Sequence, residues 1–215
     1  MTQAILALNT GSSSVKFGLY EFTAQLRPIA TGQVRDIGFE PFMMITHGKN
    51  VFTKALPPRA DYRKIIELIM EWIAKYETGC SLTAAGHRIV HGGDVYKTAA
   101  IVTPQMLKQL KKLAPLAPLH QSQSLAGIKA LAAIKPHLMQ VACFDTAFHA
   151  GRDPLYNRYA VPRAFLEKGV RRYGFHGLSY EWIAGVLQRD YPELRNVIVA
   201  HLGSGASVCA MRNGK

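Results

Sequence analysis

Cysteine is scarce in this sequence: three in 215 residues, at Cys80, Cys143 and Cys209, with no CxxC spacing. An odd, widely spaced set argues against a disulfide framework and a structural zinc site and leaves buried free thiols. Long apolar runs are missing as well. Nothing approaches the roughly 20 consecutive apolar residues of a membrane-spanning helix. The run from Ala4 to Leu8 is too short for a signal-peptide core and has no basic segment before it. A cytoplasmic protein without membrane contact is expected. Low-complexity tracts are absent, and so is the GxxxxGK[ST] pattern of a Walker A loop.

Acidic residues are few: 14 Asp and Glu against 26 Lys and Arg, a formal net charge of +12. That balance suits anionic partners such as nucleotide, phosphate, carboxylate or nucleic acid. The basic residues are scattered, however, and no basic block is interleaved with aromatics. Nucleic acid is therefore not an expected partner. The length suits one large domain or two small ones.

Apolar periodicity predicts short strands at Ile5–Leu8, Val15–Tyr20, Phe42–Thr46, Ala85–Val90, Leu138–Phe144, Asn196–His201 and into Met211. Helices are predicted at Asp61–Tyr76, from Thr103-Pro104, at Ser122–Ile134, and from a Ser179 cap to Arg189. Two prolines make Ala114–His120 non-helical. Gly151–Arg172, rich in Arg, Pro and Tyr, reads as a crossing between domains, with a first domain over 1–150 and a second beginning in 151–215. One repeat stands out. Ile5–Ser12 and Val197–Ser204 both read buried strand, polar residue, one residue, Gly-Ser, and each leads into another strand. A duplicated strand–turn–strand fits a two-domain phosphate-binding architecture.

Four places carry candidate chemistry, and each has a plainer alternative. After a buried strand, the small residues of Asn9–Lys16 let backbone N–H groups collect phosphate oxygens. Ser12 and Ser14 add hydroxyls and Lys16 a cation; the alternative is a tight hairpin turn. In a strand Arg88 and Val90 share a face, with His87, Ile89 and His91 opposite. A guanidinium beside a branched apolar side chain suits a carboxylate with a short alkyl tail; the alternative is a structural salt bridge. A metal pair at His87 and His91 would need a helix, so core histidines are expected. Asp145 ends a buried strand, where open α/β sheets place ligands, or it caps the next turn. His176 precedes a helix and suits donation to a developing anion, or it is a loop histidine bonded to backbone.

Six segments, in this order, together resemble the acetate kinases: Asn9–Lys16 (NTGSSSVK), His87–Gly93 (HRIVHGG), Pro115–His120 (PLAPLH), Phe144–His149 (FDTAFH), Tyr173–Gly177 (YGFHG) and His201–Ser207 (HLGSGAS). They span nearly the whole chain. Each is weak alone; jointly they are specific. The resemblance implies an α/β fold of the actin/sugar-kinase/Hsp70 superfamily, with ribonuclease-H-like mixed sheets and an active site in the cleft between two domains. The chain would be the N-terminal half: one domain plus the start of a second. The activity implied is ATP-dependent phosphorylation of acetate to acetyl phosphate and its reverse. Propionate kinase, or a non-catalytic module of the same fold, is the alternative.

The resemblance also implies ATP or ADP, magnesium or manganese, and a homodimer for the full-length protein. Carried over by residue, Asn9 would contact the metal–phosphate assembly, and Ser12, Ser14 and Lys16 would hold phosphates. Arg88 would bind the carboxylate or acyl phosphate, and Val90, Leu119 and Phe175 would wall the methyl pocket. Asp145 would be the essential carboxylate, a positioner of Arg88 or of the hydrated metal rather than a base. His176 would stabilise the transferring phosphoryl group. His201, Leu202, Gly203, Ser204 and Gly205 would form the second phosphate loop. Two departures are visible: Ser204 stands where the family has Asn, and Gln121-Ser122 where it has Asn-Pro. The adenine pocket, a second catalytic arginine, a metal-binding glutamate and most of the dimer interface would lie beyond Lys215.

Overall fold

The computed structural model describes residues 1–77, 79–203 and 205–215. They fall into two compact units, Met1–Ile89 with Ala100–Cys143, and Val90–Ala99 with Phe144–Lys215.

The first unit is built on an eight-stranded sheet in the order β5-β4-β3-β2-β1-β6-β8-β7. The strands are β1 (Thr2–Thr10), β2 (Val15–Glu21), β3 (Arg27–Arg35), β4 (Phe42–His47), β5 (Asn50–Ala55), β6 (Cys80–Ile89), β7 (Ala100–Ile101) and β8 (Met139–Phe144). β1 to β5 form an antiparallel meander, whereas β1 and β6 run parallel. Alternation decides the buried face. Ala4, Leu6, Leu8 and Thr10 of β1 are buried, as are Val15, Phe17 and Leu19 of β2.

Helices α1 (Tyr62–Tyr76), α2 (Pro104–Lys112) and α3 (Gln121–Ile134) belong to this unit. α1 starts where Asp61 accepts the Lys64 N–H at 2.8 Å, and α2 where Thr103 accepts from Met106 before a Pro at the first turn. α1 buries Ile65, Ile66, Ile69, Trp72 and Ile73 on one stripe. α3 crosses β1 so closely that a Cβ on Gly127 would stand within 3.2 Å of the Thr10 Cβ. Between α2 and α3 the Pro-rich segment holds one 3₁₀ turn, Ala114–Leu116, so the expected non-helical stretch is partly wound.

β3, β5 and the two-residue β7 are absent from the sequence reading. Pro28 and Gly32 hide β3, and only Ala30 and Val34 of that strand are buried. Gly32 sits under the Phe17 ring, where a side chain would collide. β5 is an edge strand whose residues are mostly exposed, so it lacks apolar alternation.

The second unit contains α4 (Arg163–Glu167), α5 (Gly177–Asp190) and an antiparallel ribbon of β9 (Asn196–His201) and β10 (Ser207–Arg212). Tyr180, Ala184 and Met211 are its small core, packed with Phe148, Val197, Val199 and Cys209. The ribbon's outer face keeps Ile198 77% and Val208 68% exposed. α5 starts earlier than expected: its N-cap position is His176, and Ser179 lies in the first turn. The three cysteines are free thiols, and no described helix is long and apolar enough to cross a membrane.

Candidate active site

The β1–β2 turn is built from the residues expected to hold phosphate. Asn9 and Lys16 are cross-strand partners, and the turn closes with Gly11 N–H donating to the Ser14 carbonyl at 2.8 Å. Ser12 and Lys16 are exposed and Ser14 is half-buried. The loop is braced from α1, where the Tyr62 hydroxyl donates to the carbonyls of Gly11 at 2.8 Å and Ser12 at 3.2 Å. A residue fifty positions away leaves no local trace in the sequence, so Tyr62 was not among the expected site residues. Burial raises its phenol pKa, which keeps the donor proton in place.

Arg88 lies one residue from the end of β6, beside β1. Its Nη1 donates to Asn9 Oδ1 at 3.4 Å. The burial alternation follows the strand expectation: His87, Ile89 and His91 are buried, while Arg88 and Val90 are half-exposed. His87 is a core histidine, its pKa lowered to about 4 by burial. Leu119, between the 3₁₀ turn and α3, is 71% exposed.

In the second unit, Asp145 is buried directly after β8, and its carbonyl accepts the Gly177 N–H at 2.8 Å. A Cβ on Gly177 would stand 2.3 Å from that oxygen, so glycine is what lets α5 begin against Asp145. Phe175 is half-buried, and its carbonyl is held by His149 Nε2 at 3.0 Å. That carbonyl can only accept, so Nε2 carries a proton. His91 meets the edges of Tyr173 and Phe175, with ring centroids 4.4 and 5.6 Å away, and its Nδ1 accepts the Gly93 N–H at 2.9 Å. Burial lowers the pKa of both His91 and His149.

His176 has φ +56°, a left-handed conformation uncommon outside glycine. Such backbone persists where its surroundings over-determine it, and here they do. Its Nδ1 lies 2.8 Å from Ser207 Oγ, which is 2.5 Å from the buried Tyr180 hydroxyl. Its ring stacks on His201 at 4.1 Å between centroids and 19° between planes. His201 Nδ1 is 3.1 Å from Ser179 Oγ. Ser179, expected as a helix cap, is thus a partner of His201. Leu202, Gly203 and Gly205 of the second loop are exposed, and Gly205 passes beside the His176 ring edge; Ser204 lies outside the described residues. The sequence repeat is two hairpins, their ladders closing at Thr10↔Val15 and His201↔Ser207. Ser207 and Tyr180 were not expected to matter; the hairpin register brings Ser207 to His176, and Tyr180 reaches Ser207 from the first turn of α5.

The acetokinase family model matches residues 4–215. The chain belongs to the acetokinase family. It is 41% identical over 225 aligned positions to an acetate kinase of Rhodopseudomonas palustris (strain TIE-1), covering 98% of this chain and 55% of that protein. An acetate kinase of Methylocella silvestris is 40% identical, covering 100% and 56%. Among solved structures, a propionate kinase from Francisella tularensis gives a TM-score of 0.90 at 33% identity, and the Porphyromonas gingivalis acetate kinase gives 0.86 at 33%; each covers 99% of this chain and 56% of the other. This acetokinase-family chain therefore spans about half the length of the curated relatives it matches. Its mixed sheet is of the actin/sugar-kinase/Hsp70 type, as expected. Among the described residues, no group of three or more His, Cys, Asp or Glu is placed to hold a metal ion.

Proposed function

We propose that the protein phosphorylates acetate from ATP, giving acetyl phosphate, and runs the reverse, by direct in-line transfer. The observation that carries this reading is the meeting of Arg88 and Asn9, 3.4 Å apart, at the ends of adjacent parallel strands. It sets a cation suited to a carboxylate beside a turn suited to phosphates. Acetate is already an anion at neutral pH, so positioning and charge neutralisation are what the chemistry needs.

In this reading Ser12, Ser14 and Lys16, with His201, Leu202, Gly203, Ser204 and Gly205, hold nucleotide phosphates. Arg88 binds the carboxylate, and Val90, Leu119 and Phe175 receive the methyl group. His176 donates to the transferring phosphoryl oxygens, and Asp145 supplies a positioning charge. One amide oxygen at Asn9, beside a phosphate turn, fits a magnesium or manganese ion carried mainly by nucleotide phosphates and water. When bound, that ion neutralises phosphate charge. The whole protein is taken to be a homodimer, which sedimentation of the full-length form tests.

Acyl phosphate trapped as hydroxamate is the assay, run on this chain alone and with the remainder of the family length supplied in trans. Product is expected in the complemented reaction. Asp145→Asn is expected to lower turnover by roughly 10²-fold or more, as losing a charge aimed at the reacting groups does. Near-normal turnover in that variant overturns the charge role. No product in either reaction favours a non-catalytic module. The TM-score of 0.90 to a propionate kinase favours a second reading, propionate as substrate. One methylene is worth only about 1–3 kcal/mol, so kcat/KM for the two acids on the complemented enzyme separates them.

A further inference from the structure

The second unit holds a cavity of about 90 Å³, lined by Lys97, Arg152, Arg171 and Arg172 against a single carboxylate, Asp94. Asp94 is already engaged: Arg171 Nη1 reaches it at 2.7 Å. Arg152 and Arg172 have no such partner. Arg152 donates to Asn157 Oδ1 at 2.5 Å and to the Arg172 carbonyl at 2.8 Å. Arg172 donates to the Arg158 carbonyl at 3.4 Å and lies over the Tyr159 ring. Among the described residues, neither guanidinium forms an ion pair with a carboxylate.

Arg152 is half-buried, and burial, then the neighbouring Arg172, lowers its pKa. Like charges drawn together in a partly dry wall are unfavourable unless an anion joins them. The buried Thr146 and the His149 ring complete the wall. Pockets that enclose drug-sized ligands run to about 300 Å³ and more. A recess this small suits one compact ion.

We propose that this cavity binds a free tetrahedral oxyanion of the phosphate class, held between Arg152 and Arg172 with Lys97 at the rim. Its lining residues are distinct from those of the phosphate loops.

The test is a titration of the 215-residue chain with inorganic phosphate at constant ionic strength, followed by amide ¹H–¹⁵N shifts. A Lys16→Ala background removes the β1–β2 turn as a competing site. Saturable shifts are expected at Gly93, Thr146 and Gly174. Arg152→Gln and Arg172→Gln should each weaken binding about tenfold or more, the factor that a charge-assisted hydrogen bond supports. Lys97→Gln, an exposed change that leaves the wall intact, should weaken it less. Sulfate should compete, and acetate at equal concentration should not. Shifts confined to the two phosphate loops, shifts that do not saturate, or an affinity unchanged by Arg152→Gln and Lys97→Gln would overturn the proposal.

Discussion

Ser207 Oγ stands 2.8 Å from His176 Nδ1 and 2.5 Å from the Tyr180 hydroxyl, so one serine joins a strained histidine to a buried phenol. Hydroxyls can donate in only one direction at a time. A His176 that offers a proton from Nε2 needs Nδ1 bare, Ser207 donating to it, and Tyr180 donating to Ser207. We expect ¹⁵N shifts of the His176 ring to report the Nε2–H tautomer. Ser207→Ala should mix the tautomers and Ser207→Thr should restore the single form. An unchanged ratio in Ser207→Ala removes the serine from this role.

Acid should weaken the fold through His87. The residue is 2% exposed, and burial lowers its pKa from 6.5 to about 4. The unfolded chain takes up that proton below pH 6.5, while the folded chain resists until about pH 4. Stability is therefore full above the unfolded value and is lost as pH falls through this window, by about 3 kcal/mol for this group. His91 and His149, also lowered by burial, act in the same direction. Urea midpoints between pH 7 and 4 check it, and His87→Gln should flatten the slope.

Removing one hydroxyl should loosen the first phosphate turn. Tyr62→Phe deletes the donor to the Gly11 and Ser12 carbonyls while keeping the ring. The expected cost is about 0.5–1.5 kcal/mol, with faster hydrogen exchange at the Gly11 and Ser12 amides than in the parent protein. Unaltered exchange there would show that the turn holds itself.

Gly127→Ala sets two effects against each other. Alanine gains about 1 kcal/mol over glycine inside a helix. Here the new methyl would lie 2.4 Å from Thr10 Oγ1 and 3.2 Å from its Cβ. Overpacking costs about 1–3 kcal/mol, so the single change should destabilise. With Thr10→Ala present the clash is gone, and the same change should turn neutral or favourable. Additive free energies in that double-mutant cycle would refute the close approach.

How much of this was visible beforehand depends on distance along the chain. α1 was legible because Ile65, Ile66, Ile69, Trp72 and Ile73 recur on one stripe, and β1 because its buried positions alternate. β3 was hidden by Pro28 and Gly32; Gly32 suits the strand because the Phe17 ring lies across the ladder from it. The site residues with motif signatures were legible in the same way: Arg88 next to Val90, Asp145 after a strand, His176 before a helix. Their supports were not. Tyr62, Ser207 and Tyr180 act across hairpin registers and helix crossings, and Ser179 looks like a cap until α5 is seen to start at Gly177. No local pattern encodes a hydrogen bond between residues thirty or fifty positions apart.

The β9–β10 ribbon has a consequence for handling the protein. Its outer face pairs Ile198 with Ala210 and Ala200 with Val208, and each of its two strands has a single neighbour among the described residues. An apolar ribbon with unpaired N–H and C=O groups along both sides is a template for strand addition by another copy. Self-association of this chain should therefore rise with concentration and persist in high salt, which screens charge but strengthens apolar contact. A lysine at Ile198 or Val208 would act as a gatekeeper, keeping dilute and concentrated samples alike in light scattering.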